Sequence, residues 1–221
     1  MQMPSLNQIR TGLMESGIVA VIRTDTPEPI PEIVRALLRG GIRTIEVTLT
    51  VPGAVEVIRD LCLEWGEHAL IGAGTVLDVE ACERVVAAGA HFVVSPIARV
   101  SLVPIAREAG RVLMLGAYTP TEAQCVHESG ADFVKVFPCD LLGASYIRSL
   151  RAPLPHLRIV PTGGVDLKTA PDFIRAGCAA VGVGSTLMPK AMVREARWEE
   201  LSMLASEFRR VVAEARSGLL A

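Results

Sequence analysis

The stretch ALIGAGTVLDVEACERVVAAGA, residues 69–90, contains the repeating unit that decides the fold. It begins with a short apolar run at residues 69–74, which predicts a buried strand. Asp78 follows as a candidate N-cap, and residues 78–90 have the amphipathic spacing of a helix. The stretch therefore predicts a strand followed by a helix, which is the building block of α/β proteins.

The same unit recurs along the chain. Short runs rich in Val and Ile start about 20 to 26 residues apart, which suits one strand with its following helix. Segments with helical spacing lie between them, for example residues 27–41 and 119–131, and Thr119 or Thr121 is the candidate N-cap of the second. The eight runs are IVAVIR (18–23), TIEVTL (44–49), ALIGAG (69–74), HFVVSP (91–96), RVLMLG (111–116), DFVKVF (132–137), RIVPTGG (158–164) and AAVGVGS (179–185).

Eight such units predict a single (β/α)8 TIM barrel. The 221 residues contain no linker, low-complexity tract or break in composition, so residues 1–221 are interpreted as one domain. SLNQIRTGLMESG, residues 5–17, is expected to form an extra N-terminal helix that closes the bottom of the barrel. A doubly wound sheet is the alternative, but no G-x-G-x-x-G motif follows the first strand to favour it.

Composition excludes several classes of function. The formal net charge is −2 and there is no basic run, which argues against nucleic acid as a partner. No apolar stretch reaches membrane-spanning length, and the first residues are too polar for a signal peptide. The five cysteines are scattered without a C-x-x-C pair, which is typical of a reduced, cytoplasmic protein. Neither H-x-H nor H-E-x-x-H occurs, so no metal site is expected.

Lys135 is the most unusual residue of the chain. Of the 22 basic residues only three are lysines, yet this one lies in the apolar run 132–137. Strand alternation predicts that Lys135 points into the barrel, as does Glu46 in the run 44–49. The pair could be a buried structural ion pair or a catalytic pair.

We favour the catalytic interpretation, because a structural cation in this composition would be expected to be arginine. Only an amine can lose its proton and attack carbon, and an amine shielded from water loses its proton more readily. Phe133 and Phe137 share the face of Lys135 and are expected to provide an apolar wall around it.

Three glycine-rich strand ends predict anion contacts. PTGG (161–164) ends strand 7 and GVGS (182–185) ends strand 8, and loops at these two places often bind phosphate in barrels. Glycine lets main-chain N–H groups approach an anion, and the start of a following helix would add a favourable dipole. GAGT (72–75) ends strand 3 in the same way, and there Thr75 could bind a substrate carboxylate.

The segments IEVTL, IGAGTV, VSP, VKVFP and PTGGV…AVGVGS, in this order, resemble the bacterial 2-keto-3-deoxy-6-phosphogluconate (KDPG) and 4-hydroxy-2-oxoglutarate (KHG) aldolases. The resemblance covers about residues 18–190. It implies a class I, Schiff-base aldolase of the Entner–Doudoroff type that needs no metal or other cofactor and forms a homotrimer. The implied substrate is a phosphorylated 2-keto sugar acid.

The resemblance also implies roles for individual residues. Lys135 matches the Schiff-base lysine and Glu46 the general acid/base. Thr75 matches the threonine that holds the pyruvate carboxylate, and Thr162 a threonine that contacts the substrate and influences stereoselectivity. The pyruvate pocket would include Pro96 and Phe137, and the phosphate loops would include Gly163, Gly164, Gly184 and Ser185.

The chain departs from the family pattern at Thr50. Many members have an arginine there that binds the substrate carboxylate, whereas a subset lacks it and has an arginine at the end of strand 1. Arg23, in VAVIRTD, is therefore predicted to supply the cation, with Thr50 beside it. The alternative is that Arg23 is a surface residue at the strand end.

The expected reaction is cleavage of KDPG to pyruvate and glyceraldehyde 3-phosphate, with cleavage of 4-hydroxy-2-oxoglutarate to pyruvate and glyoxylate as a second activity. Two alternatives stay open at this point. One is an aldolase for the 6-phosphogalactonate epimer, and the other is a non-catalytic barrel that binds a phosphosugar. The four histidines, including His91, are expected to be surface or capping residues.

Overall fold

The computed structural model describes residues 3–218, and each apolar run forms a strand of one parallel sheet. The strand order is β7-β6-β5-β4-β3-β2-β1-β8, and a parallel bridge between Thr162 and Gly182 joins its two ends. The sheet is therefore a nearly closed barrel, and the predicted fold is confirmed. The strands are β1 (Ile18–Ile22), β2 (Thr44–Thr48), β3 (Leu70–Gly74), β4 (Phe92–Val94), β5 (Val112–Ala117), β6 (Phe133–Val136), β7 (Ile159–Pro161) and β8 (Val181–Val183).

Helices alternate with the strands and cover the outside of the barrel. The Asp78 carboxylate caps the fourth helix by accepting the Ala81 N–H at 2.8 Å. Thr119, rather than Thr121, caps the sixth helix in a capping box with Glu122. The helices are α1 (Leu6–Ser16), α2 (Ile30–Arg39), α3 (Ala54–Trp65), α4 (Val79–Ala87), α5 (Val103–Glu108), α6 (Pro120–Glu128), α7 (Gly143–Arg151), α8 (Thr169–Arg175), α9 (Lys190–Arg194) and α10 (Trp198–Ser217).

Helix α1 closes the N-terminal end of the barrel, as the sequence predicts. Its buried residues Ile9 and Leu13 pack with the side chains that fill the barrel interior, among them Val19, Phe92 and Phe133. Helix α10 packs outside the barrel across α2 and α8. The interior and the outer layer of the barrel are thus two separate apolar clusters.

Glycines at inward positions make room for large side chains of neighbouring strands. A Cβ added to Gly72 on β3 would lie 2.4 Å from the ring of Phe92, which therefore lies across this glycine. A Cβ added to Gly182 on β8 would lie 2.2 Å from the Oγ1 of Thr162. Both contacts are far shorter than van der Waals distance, so an alanine at either position would displace its neighbour.

The prediction for His91 is wrong in one respect, because this side chain is buried. The imidazole Nδ1 accepts a hydrogen bond from the main-chain N–H of Ile71 at 3.0 Å. The main-chain N–H of His91 donates to the Ile71 carbonyl at 2.7 Å. Burial, with a smaller contribution from the charge of Arg111, lowers the pKa of His91 to about 4. His91 is therefore a neutral residue that joins the starts of β3 and β4.

Across residues 3–218, no helix combines the length and the apolar character that crossing a membrane requires.

Candidate active site

Lys135 and Glu46 lie together inside the barrel. The two residues come from β6 and β2, and the Lys135 Nζ is 3.5 Å from the Glu46 Oε1. Lys135 is 5% exposed and Glu46 is 1% exposed, whereas Ile45 and Val47 on either side of Glu46 pack outward. The alternation that the sequence predicts therefore holds, and it brings an amine and a carboxylate into one buried space.

The Glu46 carboxylate fits because β3 has a glycine beside it. A Cβ added to Gly74 would lie 1.9 Å from the Glu46 Oε1 and 2.6 Å from its Cδ. No real Cβ comes so close to another heavy atom, so the carboxylate occupies the space that a side chain at position 74 would take. Gly74 thus decides where the carboxylate lies, a role that the sequence alone does not reveal.

A second glycine lies beside Lys135. Gly116 on β5 pairs in register with Lys135, and a Cβ there would lie 2.0 Å from the Pro96 carbonyl oxygen. The Gly116 N–H donates to the Ile97 carbonyl at 3.1 Å, which holds the loop after β4 against β5. Pro96 is therefore placed beside the strand partner of Lys135.

One carboxylate oxygen of the pair is available to accept a proton. Among the described residues, the buried Oε1 of Glu46 accepts no hydrogen bond. The Lys135 Nζ lies 5.6 Å from the centroid of the Phe137 ring, within the range of a cation–π contact. Phe133 is buried, but Phe137 is 36% exposed, so the expected apolar wall is open on the Phe137 side.

A cavity of about 640 Å³ opens at the C-terminal end of the barrel, between the loops that follow β1, β7 and β8. Thr50, Thr75, Pro96 and the Lys135–Glu46 pair do not line it, although Phe137 connects it to the lysine. The predicted residues that it brings together are Arg23, Phe137, Thr162, Gly163, Gly164, Gly184 and Ser185.

Arg23 is an exposed cation on the cavity wall. Val19 and Val21 of β1 belong to the interior cluster, so alternation directs residue 23 toward the same side. Val21 pairs in register with Glu46, which places Arg23 just beyond the carboxylate along the neighbouring strand. Its guanidinium forms no ion pair with any described residue.

The two threonines predicted near the carboxylate differ in their surroundings. The Oγ1 of Thr50 lies 2.8 Å from that of Thr48, which in turn donates to the Ile22 carbonyl. Thr75 follows β3 with a φ of 59°, in the left-handed region that a β-branched residue rarely adopts. Such strain costs about 1–3 kcal/mol and is concentrated at functional sites. The positive φ of Thr75 is therefore a structural indication of function that the sequence does not show.

The loops after β7 and β8 have main-chain amides available to an anion. Gly163 and Gly164 have φ values of 91° and 68°. Within residues 3–218, neither Gly164 nor Ser185 donates its N–H to a protein acceptor. The expected helix dipole is absent, however, since α8 begins at Thr169 and α9 at Lys190, more than one turn beyond the glycines.

Sequence reasoning missed the charged residues at the mouth of the cavity. Lys190 and Arg194 line it together with Asp25, and the Lys190 Nζ is 3.7 Å from the Asp25 Oδ2. Both side chains of that pair are almost fully exposed, so the pair is weak. The rarity of lysine in this chain was a signal that also applied to Lys190. Among the described residues, no group of three or more His, Cys, Asp and Glu side chains could hold a metal ion.

Comparison with known proteins gives three consistent results. A family model described as KDPG and KHG aldolase matches residues 9–204. The chain is 36% identical over 180 residues to a probable 2-dehydro-3-deoxy-6-phosphogalactonate aldolase of Rhizobium meliloti, covering 81% of this chain and 85% of that protein. It is 31% identical over 210 residues to a 2-dehydro-3-deoxy-phosphogluconate aldolase of Pseudomonas aeruginosa, covering 95% of each.

A solved structure is similar over nearly the whole barrel. It is a KDPG aldolase from Legionella pneumophila with pyruvate captured as a covalent carbinolamine intermediate, and it matches with a TM-score of 0.82 at 28% identity. The match covers 90% of this chain and 97% of that one.

Proposed function

This chain belongs to the KDPG and KHG aldolase family, and from that premise we propose that it is a class I aldolase that cleaves KDPG to pyruvate and glyceraldehyde 3-phosphate. The aldolase activity follows from the family. The observation that carries the mechanism is the buried Lys135–Glu46 pair, with 3.5 Å between the amine nitrogen and a carboxylate oxygen. Because the chain belongs to a family of aldolases, we do not favour the alternative of a non-catalytic barrel.

Lys135 is the nucleophile of this mechanism. Its neutral amine adds to the C2 ketone to form a carbinolamine, which loses water to give an iminium ion. The Legionella relative with pyruvate captured as a carbinolamine supports this step by analogy. The positively charged iminium then withdraws electrons from the bond between C3 and C4.

Glu46 is the proton carrier. It takes the proton of the C4 hydroxyl, the C3–C4 bond breaks, and its electron pair forms the C2–C3 double bond of an enamine while the aldehyde leaves. Glu46 then returns a proton to C3, directly or through water, and hydrolysis of the iminium releases pyruvate and the free amine. The buried Oε1, which accepts no hydrogen bond from the described residues, is available for both transfers.

Substrate recognition divides between the two ends of the keto acid. Arg23 would bind the carboxylate, because its guanidinium has no ion-pair partner among residues 3–218 and it follows the strand next to Glu46. Thr75 and Pro96 would complete the pyruvate end on the opposite side. The phosphate end would contact Thr162 and the amides of Gly163, Gly164, Gly184 and Ser185, which line the same cavity as Arg23.

Trapping with borohydride tests this proposal. Pyruvate plus borohydride should attach covalently to the protein, and peptide mapping should place the adduct on Lys135. Lys135→Arg should keep the fold, as judged by thermal unfolding, and should lose both cleavage and trapping, because a guanidinium cannot form the imine. Lys168→Arg, a substitution in the exposed segment before α8, is the matched control and should behave as the parent. Labelling that persists in Lys135→Arg would refute the assignment.

The 6-phosphogalactonate epimer is the second candidate substrate. It is favoured by the Rhizobium relative, whose identity of 36% exceeds the 31% of the Pseudomonas KDPG aldolase. Comparison of kcat/KM for the two epimers decides between them, because selectivity is a ratio of these values. 4-Hydroxy-2-oxoglutarate should be cleaved more slowly than either, since it has no phosphate for the loops after β7 and β8.

We further propose a homotrimer. Large apolar side chains are exposed in the consecutive segments that follow β3 to β6, in the loops or at the start of α4, at the same end of the barrel, and exposed apolar patches mark protein contacts. Light scattering should give three times the chain mass of 23.6 kDa, and Leu141→Asp should lower it, whereas Leu63→Asp on α3 should not. A monomeric mass for the parent would refute this assembly. The exposed residues are Leu77, Val79, Ile97, Val100, Tyr118 and Leu141.

A further inference from the structure

A second cavity lies at the opposite end of the barrel from the candidate active site. It has a volume of about 970 Å³ and is bounded by α1, α10 and the starts of β2 and β3. Three arginines line it: Arg43 precedes β2, and Arg209 and Arg216 lie seven residues apart on one side of α10. None of the residues assigned to catalysis or substrate binding contributes to this cavity.

The three guanidinium groups have no carboxylate partner in the part of the chain that the structure describes. Arg43 donates to the His68 carbonyl at 3.0 Å, and Arg216 donates to the carbonyls of Glu15 and Ala179 at 2.7 and 2.8 Å. None of the three arginines forms an ion pair with a carboxylate of residues 3–218. Burial lowers the pKa of Arg216, which means that this charge has lost water without gaining a counterion.

Two glycines hold the arginines of α10 against the main chain. Gly41 has a φ of 84°, and a Cβ there would lie 2.9 Å from the Arg209 Cδ and 3.0 Å from its Nη1. Gly17 has a φ of 68°, and a Cβ there would lie 2.6 Å from the Arg216 Cζ. Each position thus requires glycine for two reasons: the positive φ of the backbone, and the close approach of the arginine side chain. Arg216 is therefore half-buried at the cavity wall, and the stem of Arg209, although the residue is exposed, lies against Gly41.

Thr44 supplies a neutral polar group inside the same cavity. It is 1% exposed and lines the cavity, and its hydroxyl forms no hydrogen bond with the described residues. Because Thr44 lines the cavity, its hydroxyl can donate a hydrogen bond to a ligand or to water there. The acidic side chains on the wall are Glu15 and Glu67, so the arginines outnumber the carboxylates there.

We propose that this cavity is a binding site for a small multivalent oxyanion, such as a phosphate ester or a polycarboxylate. Guanidinium groups bind these anions through paired N–H donors, and three of them can share one multivalent charge. The hydroxyl of Thr44 would add one hydrogen bond. Thr44 is on β2, two residues before Glu46 and on the same inward side, so the site adjoins the strand that holds the candidate acid/base.

Inorganic pyrophosphate is the probe for this site. Calorimetry on the full chain should show binding, and thermal unfolding should shift upward with pyrophosphate, because a ligand that binds the folded state stabilises it. Arg43→Ala and Arg209→Ala should each weaken this binding about tenfold or more, the effect of losing one charged hydrogen bond. Arg210→Ala is the matched control, since Arg210 neighbours Arg209 but does not line the cavity and is paired with Glu214.

The design separates this site from the candidate active site. The arginine variants should keep the parent rate of cleavage at saturating substrate, because neither residue touches the reacting groups. Pyrophosphate at the phosphate loops would instead compete with substrate, and its affinity would be the same in all variants. Equal affinity in Arg43→Ala, Arg209→Ala and Arg210→Ala, or no binding to the parent, would overturn the proposal.

Discussion

Gly74→Ala should separate imine formation from proton transfer. The substitution leaves the backbone of β3 in an allowed conformation, because Gly74 does not have the positive φ that requires glycine. Its new Cβ would lie 1.9 Å from the Glu46 Oε1, and a tolerable carbon–oxygen contact is ~3.3 Å. The carboxylate must therefore move by about 1.4 Å, and the three heavy atoms nearest to the new Cβ all belong to Glu46 and none to Lys135.

The expected cost follows from that displacement. Moving a catalytic group by about 1 Å can lower a rate by ~100-fold, which corresponds to about 2.7 kcal/mol of transition-state stabilisation. We expect kcat for cleavage to fall about 100-fold, with a similar fall in the exchange of pyruvate methyl protons with deuterated water, because both need Glu46. Trapping of pyruvate by borohydride should stay close to the parent level, because it depends on Lys135.

Two controls make the result decisive. Gly218→Ala introduces the same methyl group where the nearest heavy atom is 3.7 Å away, and it should change nothing. Glu46→Asp shortens the side chain, so adding Gly74→Ala to it should cost much less than adding it to the parent, which a double-mutant cycle measures. If Gly74→Ala keeps kcat within about threefold of the parent while the protein stays folded, the carboxylate position seen here is not the one that catalysis needs.

Three further outcomes are expected. In steady-state assays, Arg23→Ala should raise KM for substrate about tenfold to hundredfold, and Arg23→Lys should raise it less. Thr50→Arg added to Arg23→Ala should recover part of the loss. An unchanged KM in Arg23→Ala would mean that Thr75 and main-chain amides bind the substrate carboxylate without Arg23. EDTA should leave the cleavage rate unchanged, and a loss that a divalent ion restores would indicate a metal-dependent aldolase instead. His91 binds its proton with a pKa of about 4 when folded and 6.5 when unfolded, so the free energy of unfolding should fall by about 3 kcal/mol as the pH drops through that window. His91→Asn, which keeps an acceptor for the Ile71 N–H but does not titrate, should lose correspondingly less in denaturant titrations across the same pH range.

The barrel was predictable because its strands and helices have separate local signals. Short apolar runs with regular spacing are the mark of buried parallel strands, and Asp78 marks a helix start through a contact only three residues long. The placement of Lys135 and Glu46 followed from strand alternation alone, since a period of two leaves only two faces. These are the features in which short-range chemistry and the overall fold agree.

Other features depend on contacts between segments that are distant in sequence. The histidine at position 91 was interpreted from its place at a strand start, but its burial depends on the pairing of β3 with β4. The helix dipoles expected after β7 and β8 are absent because the loops continue to Thr169 and Lys190 before a helix begins. The cavity at the N-terminal end requires α10 to pack near α1, and no local pattern predicts that contact.

The glycines show why the chemistry of a site is easier to predict from sequence than its geometry. Gly74 was interpreted as part of a strand end that approaches an anion, yet its missing Cβ is what admits the Glu46 carboxylate. Gly182 has the same relation to Thr162, since its missing Cβ leaves 2.2 Å to the threonine hydroxyl. Both glycines lie on the strand next to the residue they accommodate. The register pairs Gly182 directly with Thr162, whereas it pairs Gly74 with Thr48, so the Glu46 side chain reaches one inward position further along the barrel. An inward glycine in a closed barrel is therefore best interpreted together with the largest or most polar inward residue of the adjacent strand, and position 74 is where that rule can be tested by rate.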